Sequence, residues 1–222
     1  MKILAIEFSS EQRSVAIVEK QSEAISLVKG FAVEAGGRNT HAIGLVEEAL
    51  RHARLEREQI DCIAVGIGPG SYTGIRSAIA FAQGWQLGRD VKLIGIGSIE
   101  CLASQAFAMG VRGHGNFIVD AQRNEFYLAG YRFDEKEFVE VEPLHLATAA
   151  EVESKITDRQ MVFGPEASQR FPTATSLMPD ASALGALACG KTNFGSGEKL
   201  EPVYLREISF VKAPPPRAIL DR

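Results

Sequence analysis

Three groups of residues have the types and spacing to do chemistry. The first is the glycine loop of I-A-V-G-I-G-P-G-S-Y-T-G-I-R, residues 63–76. There Gly66, Gly68, Pro69 and Gly70 end an apolar, strand-like run, and Ser71 or Thr73 stands ready to cap a helix. A strand, a Gly-Pro-Gly turn and a helix N-terminus with free N–H groups together suit an anion. Neither common phosphate pattern fits, however. A Walker loop needs a lysine that is missing here, and Gly74 comes one residue too late after Gly68 and Gly70 for G-x-G-x-x-G. The competing reading is a tight strand-to-helix turn whose glycines permit positive φ and close packing. Glu7, Ser9, Ser10, Gly68, Gly70 and Ser71 are the candidates for a degenerate anion or nucleotide loop.

The second group is a pair of acids, Glu7 and Asp120, each at the end of a strand-like run. The third is His41, which opens a helical stretch. A metal pair on one helix face needs a second histidine four residues on, and that place holds Leu45. His41 is thus a lone ligand at most, or a surface or interface residue. His52, His114 and His145 stand isolated, with no H-E-x-x-H, and no G-x-S-x-G supplies a nucleophile elbow. Arg76, on an otherwise apolar helix, is placed to pair with Glu47 or Glu48 or with a partner's carboxylate. The set lacks a complete catalytic constellation, which suits an accessory subunit better than a free-standing enzyme.

The elements that must position these residues follow from periodicity. Ile3–Ile6 and Ser14–Val18 read as a hairpin, with a third strand over Ala24–Phe31. Asn39 or Thr40 caps a helix running to about Arg54. The helix after the glycine loop carries Gly74, Ala78 and Ala82 at i, i+4, i+8, a stripe that admits another backbone closely, and is apolar on most sides. Strand Val91–Ile94 and a helix from Ser98 to about Gly110 complete this half. Beyond the glycines of 110–115, strand, terminal acid, turn and strand recur over Phe117–Tyr131. A strand near Phe138–Val141, helices at Ala149–Ile156 and Ser182–Cys189, a strand at Met161–Gly164 and a loop over Pro172–Pro179 follow, with an extended tail after Glu201 that Pro214–Pro216 keep irregular. Two lobes opening this way indicate an α/β protein of the two-lobed, ribonuclease-H-like actin type, with lobes at 1–110 and 111–222 and the second one reduced. Glu7 and Asp120 then fall where nucleotide-binding actin-type proteins place metal-coordinating carboxylates.

Of the 222 residues 45% are hydrophobic and 23% charged, an ordinary globular composition. The net charge of −4 disfavours a protein that grips nucleic acid by its phosphates alone. Cys62, Cys101 and Cys189 are scattered in apolar surroundings, which predicts buried free thiols in a reducing compartment. The N-terminus is too short in apolar residues for a signal peptide, and no run reaches the ~20 of a membrane span, so a cytoplasmic protein is expected.

The blocks L-A-I-E-F-S-S-E, I-A-V-G-I-G-P-G-S-Y-T-G-I-R-S-A-I-A-F-A-Q-G, I-G-I-G-S-I-E-C-L-A, V-D-A-Q-R-N-E-F-Y and E-P-V-Y-L-R closely resemble the bacterial TsaB (YeaZ-type) family from Met1 to about Arg206. The resemblance implies the actin-type fold with a degenerate second lobe, and an accessory role in making threonylcarbamoyladenosine on tRNA. It implies a heterodimer with a metal-bearing catalytic paralogue of TsaD type, joined by an ATPase subunit of TsaE type, with tRNA met only through the complex. In this family the first two helices pack against their equivalents in the partner as a four-helix bundle. On this chain that interface falls on His41, Ile43, Leu45, Gly74, Ile75, Arg76, Ala78, Ile79 and Ala82, with a homodimer forming when the chain is alone. The paralogue's histidine pair is reduced here to His41 with Leu45, and Glu7 stands where the family usually has aspartate. No metal and no tightly bound cofactor are implied for the lone chain, with ATP or ADP left to the complex. The alternative is a stand-alone ATP-dependent phosphotransferase of actin type, or a metalloprotease like the M22 glycoproteases.

Overall fold

In the computed structural model, which describes residues 1–22, 26–36, 41–195 and 197–205, the apolar run of β1 (Lys2–Glu7) lies in the middle of a five-stranded sheet. A strand apolar on both faces must be covered on both faces, and β1 is buried throughout after its first residue. It pairs antiparallel with β2 (Gln12–Lys20), which pairs with β3 (Ser26–Ala35). On its other side lie β4 (Cys62–Gly66) and β5 (Lys92–Ile96), both parallel, giving the order β3-β2-β1-β4-β5. Parallel strands need crossovers. These are supplied by α1 (Ala42–Ala53) between β3 and β4 and by α2 (Tyr72–Gly88) between β4 and β5. The proposed caps Asn39 and Thr40 lie outside the described residues, as do part of the strand predicted over Ala24–Phe31, Arg206 and the proline tail.

After α3 (Ser98–Ala108) the plan repeats. Strands β6 (Gly113–Asp120), β7 (Glu125–Phe133) and β8 (Phe138–Thr148) are antiparallel neighbours. Then β9 (Met161–Gly164) joins β6 in parallel and β10 (Thr175–Ser176) joins β9, for the order β8-β7-β6-β9-β10. Position for position this is the first sheet again. Its crossovers are α4 (Ala149–Thr157), capped by the Thr148 hydroxyl, and α5 (Ala167–Arg170), a single turn standing where α2 has 17 residues. The second unit is therefore the reduced copy of an α/β, ribonuclease-H-like topology used twice. Strand β10 sits inside the stretch predicted as loop, because two residues carry no readable alternation.

The third helix of each unit crosses to the other. The face of the first sheet bearing Leu4, Ile6, Val15, Ile17, Ile63 and Val65 is covered by α1 and α2. The opposite face, with Ile3, Ala5, Ala16, Val18 and Ala64, is covered by α6 (Ala181–Gly190), whose Asp180 cap accepts from Ser182 and Ala183 N–H. In turn α3 packs Ile99, Leu102 and Ala106 on Phe117, Tyr131 and Phe163 of the second sheet. The exchange seals the two sheets into one structure. Cys62, Cys101 and Cys189 are buried free thiols, as predicted, and among the described residues no helix is long and apolar enough to cross a membrane.

Candidate functional site: the glycine joint and the outer face of the first two helices

The glycine loop is a packed joint. Gly68 and Gly70 have φ of +91° and +148°, which glycine alone adopts readily. A Cβ on Gly70 would lie 2.1 Å from the Ser9 carbonyl oxygen, so the turn presses directly on the β1–β2 connection. Two of the turn's amide donors are engaged inside. Ser71 N–H donates to the Ser9 carbonyl at 2.6 Å, and Gly68 N–H to the Ser98 hydroxyl at 3.2 Å. Ser71 Oγ caps α2 by accepting from Gly74 N–H at 3.3 Å. Of the residues read as an anion or nucleotide loop, Glu7, Ser9, Ser10 and Gly68 are buried and only Gly70 and Ser71 are partly open. These amides hold strand, helix and hairpin together, while Ser9, Ser10, Gly70 and Ser71 also line a cleft on the outer side of the turn.

Glu7 points into this joint. Its side chain is completely buried, with Oε1 accepting from Ser9 N–H at 2.7 Å and Oε2 from the Ser98 hydroxyl at 3.0 Å. Burial raises its carboxyl pKa, only partly offset by these hydrogen bonds. Asp120 instead ends β6 at the surface and accepts from Gln122 N–H at 2.7 Å, so the two strand-end acids do not converge. Between the sheets a cleft of about 340 Å³ is lined by Ser9, Ser71, Glu11, Asp120 and Glu166. Burial raises the Glu166 pKa, and the charges of Asp120 and Glu11 raise it further. Three carboxylates, Glu11, Asp120 and Glu166, thus share this cleft.

The helices show which residues face outward. Leu45, Gly74, Ile75, Ala78, Ile79 and Ala82 are all buried against the first sheet, with Ile75, Ala78 and Ala82 at 0% exposure. Their assignment to a partner surface is corrected: the Gly74 stripe serves close packing within this chain, where a Cβ on Gly74 would lie 2.0 Å from the Phe8 carbonyl oxygen. Exposed are His41, which bonds Glu34 at 3.1 Å, Ile43 and Arg76. Arg76 does not pair with Glu47 or Glu48. Its guanidinium lies 4.3 Å from the centre of the Tyr72 ring and donates to Tyr204 Oη at 3.2 Å, while Glu47 takes Arg57.

Sequence reasoning missed a second row of small residues. Ala80, Gly84 and Gly88 also repeat at i, i+4, i+8, about 120° round the helix from the first row, and all three face outward. Among the described residues, a Cβ on Gly84 or Gly88 would meet nothing within 4 Å. With Ile43, Val46, Phe81 and Trp85 these residues line a shallow groove of about 500 Å³ between α1 and α2. Ile43 is 61% and Leu87 92% exposed. The signal was legible in the flanks: Ile75 and Ile79 adjoin the inner row, Arg76 and Gln83 the outer. His145, read as isolated, in fact sits beside Glu142 and Glu151.

A doubled ribonuclease-H-like α/β chain with a carboxylate-lined cleft and an open two-helix face defines the class. A family model described as TsaD, tRNA N6-adenosine threonylcarbamoyltransferase, matches residues 34–188. The Escherichia coli tRNA threonylcarbamoyladenosine biosynthesis protein TsaB is 27% identical over 96% of this chain and 99% of its own length. The Haemophilus influenzae TsaB is 29% identical over 58% of this chain and 53% of that protein. YeaZ from Pseudomonas aeruginosa superposes with a TM-score of 0.73 at 24% identity, covering 92% of this chain and 99% of that one. The chain belongs to the TsaD family, on its TsaB/YeaZ branch.

Proposed function

We propose that this chain is a non-catalytic subunit in the synthesis of threonylcarbamoyladenosine on tRNA, docking a catalytic TsaD-type paralogue through the outer face of α1 and α2. The biosynthetic role rests on the relatives named TsaB. The docking face rests on one observation, the outward row Ala80, Gly84 and Gly88 beside exposed Ile43 and Leu87. Glycine inside a helix costs ~1 kcal/mol relative to alanine, and none of the described residues touches the space a Cβ on Gly84 or Gly88 would fill. A helix backbone from a partner can approach there as no larger side chain would permit. Ile43, Arg76 and His41 remain from the predicted interface, while the six buried positions support it from beneath.

The lobe of residues 1–110 carries this face, and 111–222 forms the degenerate lobe. An ATPase subunit of TsaE type completes the assembly, tRNA is met through the complex, and the protein works in the cytoplasm. Alone, the chain covers its apolar helix face by pairing with a second copy. Nucleotide is held in the complex and not tightly by this chain alone, a reading supported by the inward turn of Glu7. The test is co-elution with the paralogue: Ile43→Glu and Gly84→Leu abolish the heterodimer while the far-ultraviolet spectrum stays native. Undiminished co-elution of both variants overturns the proposal.

A further inference from the structure

Edge strand β8 and the first turn of α4 gather three metal-ligating side chains. Glu142 and His145 are three apart, a spacing that puts side chains on opposite faces of a regular strand. Here the ladder slips: Leu128 pairs with His145 and Gly130 with Glu142, so Pro143 and Leu144 together oppose Ala129 alone. Such a bulge re-aims side chains, and it brings Glu142 and His145 to one side, where Glu151 reaches them from α4. His145 Nε2 lies 2.9 Å from Glu151 Oε1 and 4.0 Å from Glu142 Oε1. The other ring nitrogen, Nδ1, lies 2.9 Å from the Pro143 carbonyl oxygen, to which it donates, leaving Nε2 turned to the two carboxylates. A backbone carbonyl holding the far side of an imidazole is how ligating histidines are oriented. Glu142 is held likewise, its Oε2 bonded to Lys155 Nζ at 2.5 Å with Oε1 toward the imidazole.

We propose that Glu142, His145 and Glu151 form a site for a divalent transition-metal ion, with zinc the best match. One imidazole and two carboxylates are a zinc donor set that leaves a fourth position to water. The three ligand atoms already lie within 4.8 Å of one another, and each side chain is half-buried and reachable from solvent. Binding releases to solvent the Nε2 proton that Glu151 Oε1 accepts without metal, and small side-chain rotations then bring the three groups onto a common ion at ~2.0–2.2 Å. Such an ion staples the edge strand to α4. Isothermal titration of the full chain with zinc chloride, with magnesium chloride as a comparison, tests this. A single saturable zinc site of micromolar affinity or tighter is expected, weakened at least about tenfold by His145→Ala and by Glu151→Gln and unchanged by His114→Ala. Zinc also raises the melting temperature of the wild type and not of His145→Ala. An absence of saturable zinc binding, or equal binding by His145→Ala, shows an ordinary surface ion-pair network and overturns the proposal.

Discussion

The Ser98 hydroxyl donates to the Glu7 carboxylate at 3.0 Å and accepts from Gly68 N–H at 3.2 Å. Ser98 N–H in turn donates to the Gly68 carbonyl at 2.8 Å. One side chain thereby fixes the end of β1, the glycine turn and the start of α3. Ser98→Ala leaves two buried groups short of a partner and should destabilise the chain by about 1–3 kcal/mol. Urea denaturation measures it, and an unchanged midpoint would remove Ser98 from the joint.

Glu7 makes stability depend on pH in a defined direction. Its folded carboxyl pKa is raised by burial. Its favourable contribution is thus complete below the ordinary carboxylate range and is lost as pH rises through the folded pKa. Glu7→Gln mimics the protonated form, so its stability relative to wild type should grow as pH rises. Denaturation midpoints of both proteins across a pH series, from acid to mildly alkaline, report the difference; a constant offset contradicts the assignment.

The two isoleucines of the helix pair should behave oppositely. Ile75 is fully buried and Ile43 is 61% exposed. Ile75→Ala should cost about 2–5 kcal/mol, whereas Ile43→Ala should stay within about 0.5 kcal/mol and weaken the heterodimer. Thermal melts with co-elution separate the effects.

The sequence exposes these features unevenly, for physical reasons. Both hairpins and the β4–turn–α2 passage are visible because alternation and glycine act locally, and Ser71 caps where its chemistry says it should. The inward side of α2 is harder, since two rows of small residues share the helix and only the sheet decides which one is covered. The exchange of α3 and α6 is a contact between distant segments and leaves no local mark. His145 meets Glu142 only because of a bulge that pairing with β7 creates.

Gly84→Ala tests the docking face without burying anything new. Replacing an exposed helical glycine should stabilise the chain by ~0.5–1 kcal/mol, because its Cβ meets none of the described residues within 4 Å. A melting temperature below wild type would mean that the position is constrained from within.

The most direct measurement is the dissociation constant of the complex with the TsaD-type paralogue, by sedimentation or calorimetry, for wild type, Gly84→Ala and Gly84→Leu. Association should weaken progressively, with Gly84→Leu unable to assemble, while both variants melt no lower than wild type. Wild-type affinity in Gly84→Leu would contradict docking through this face.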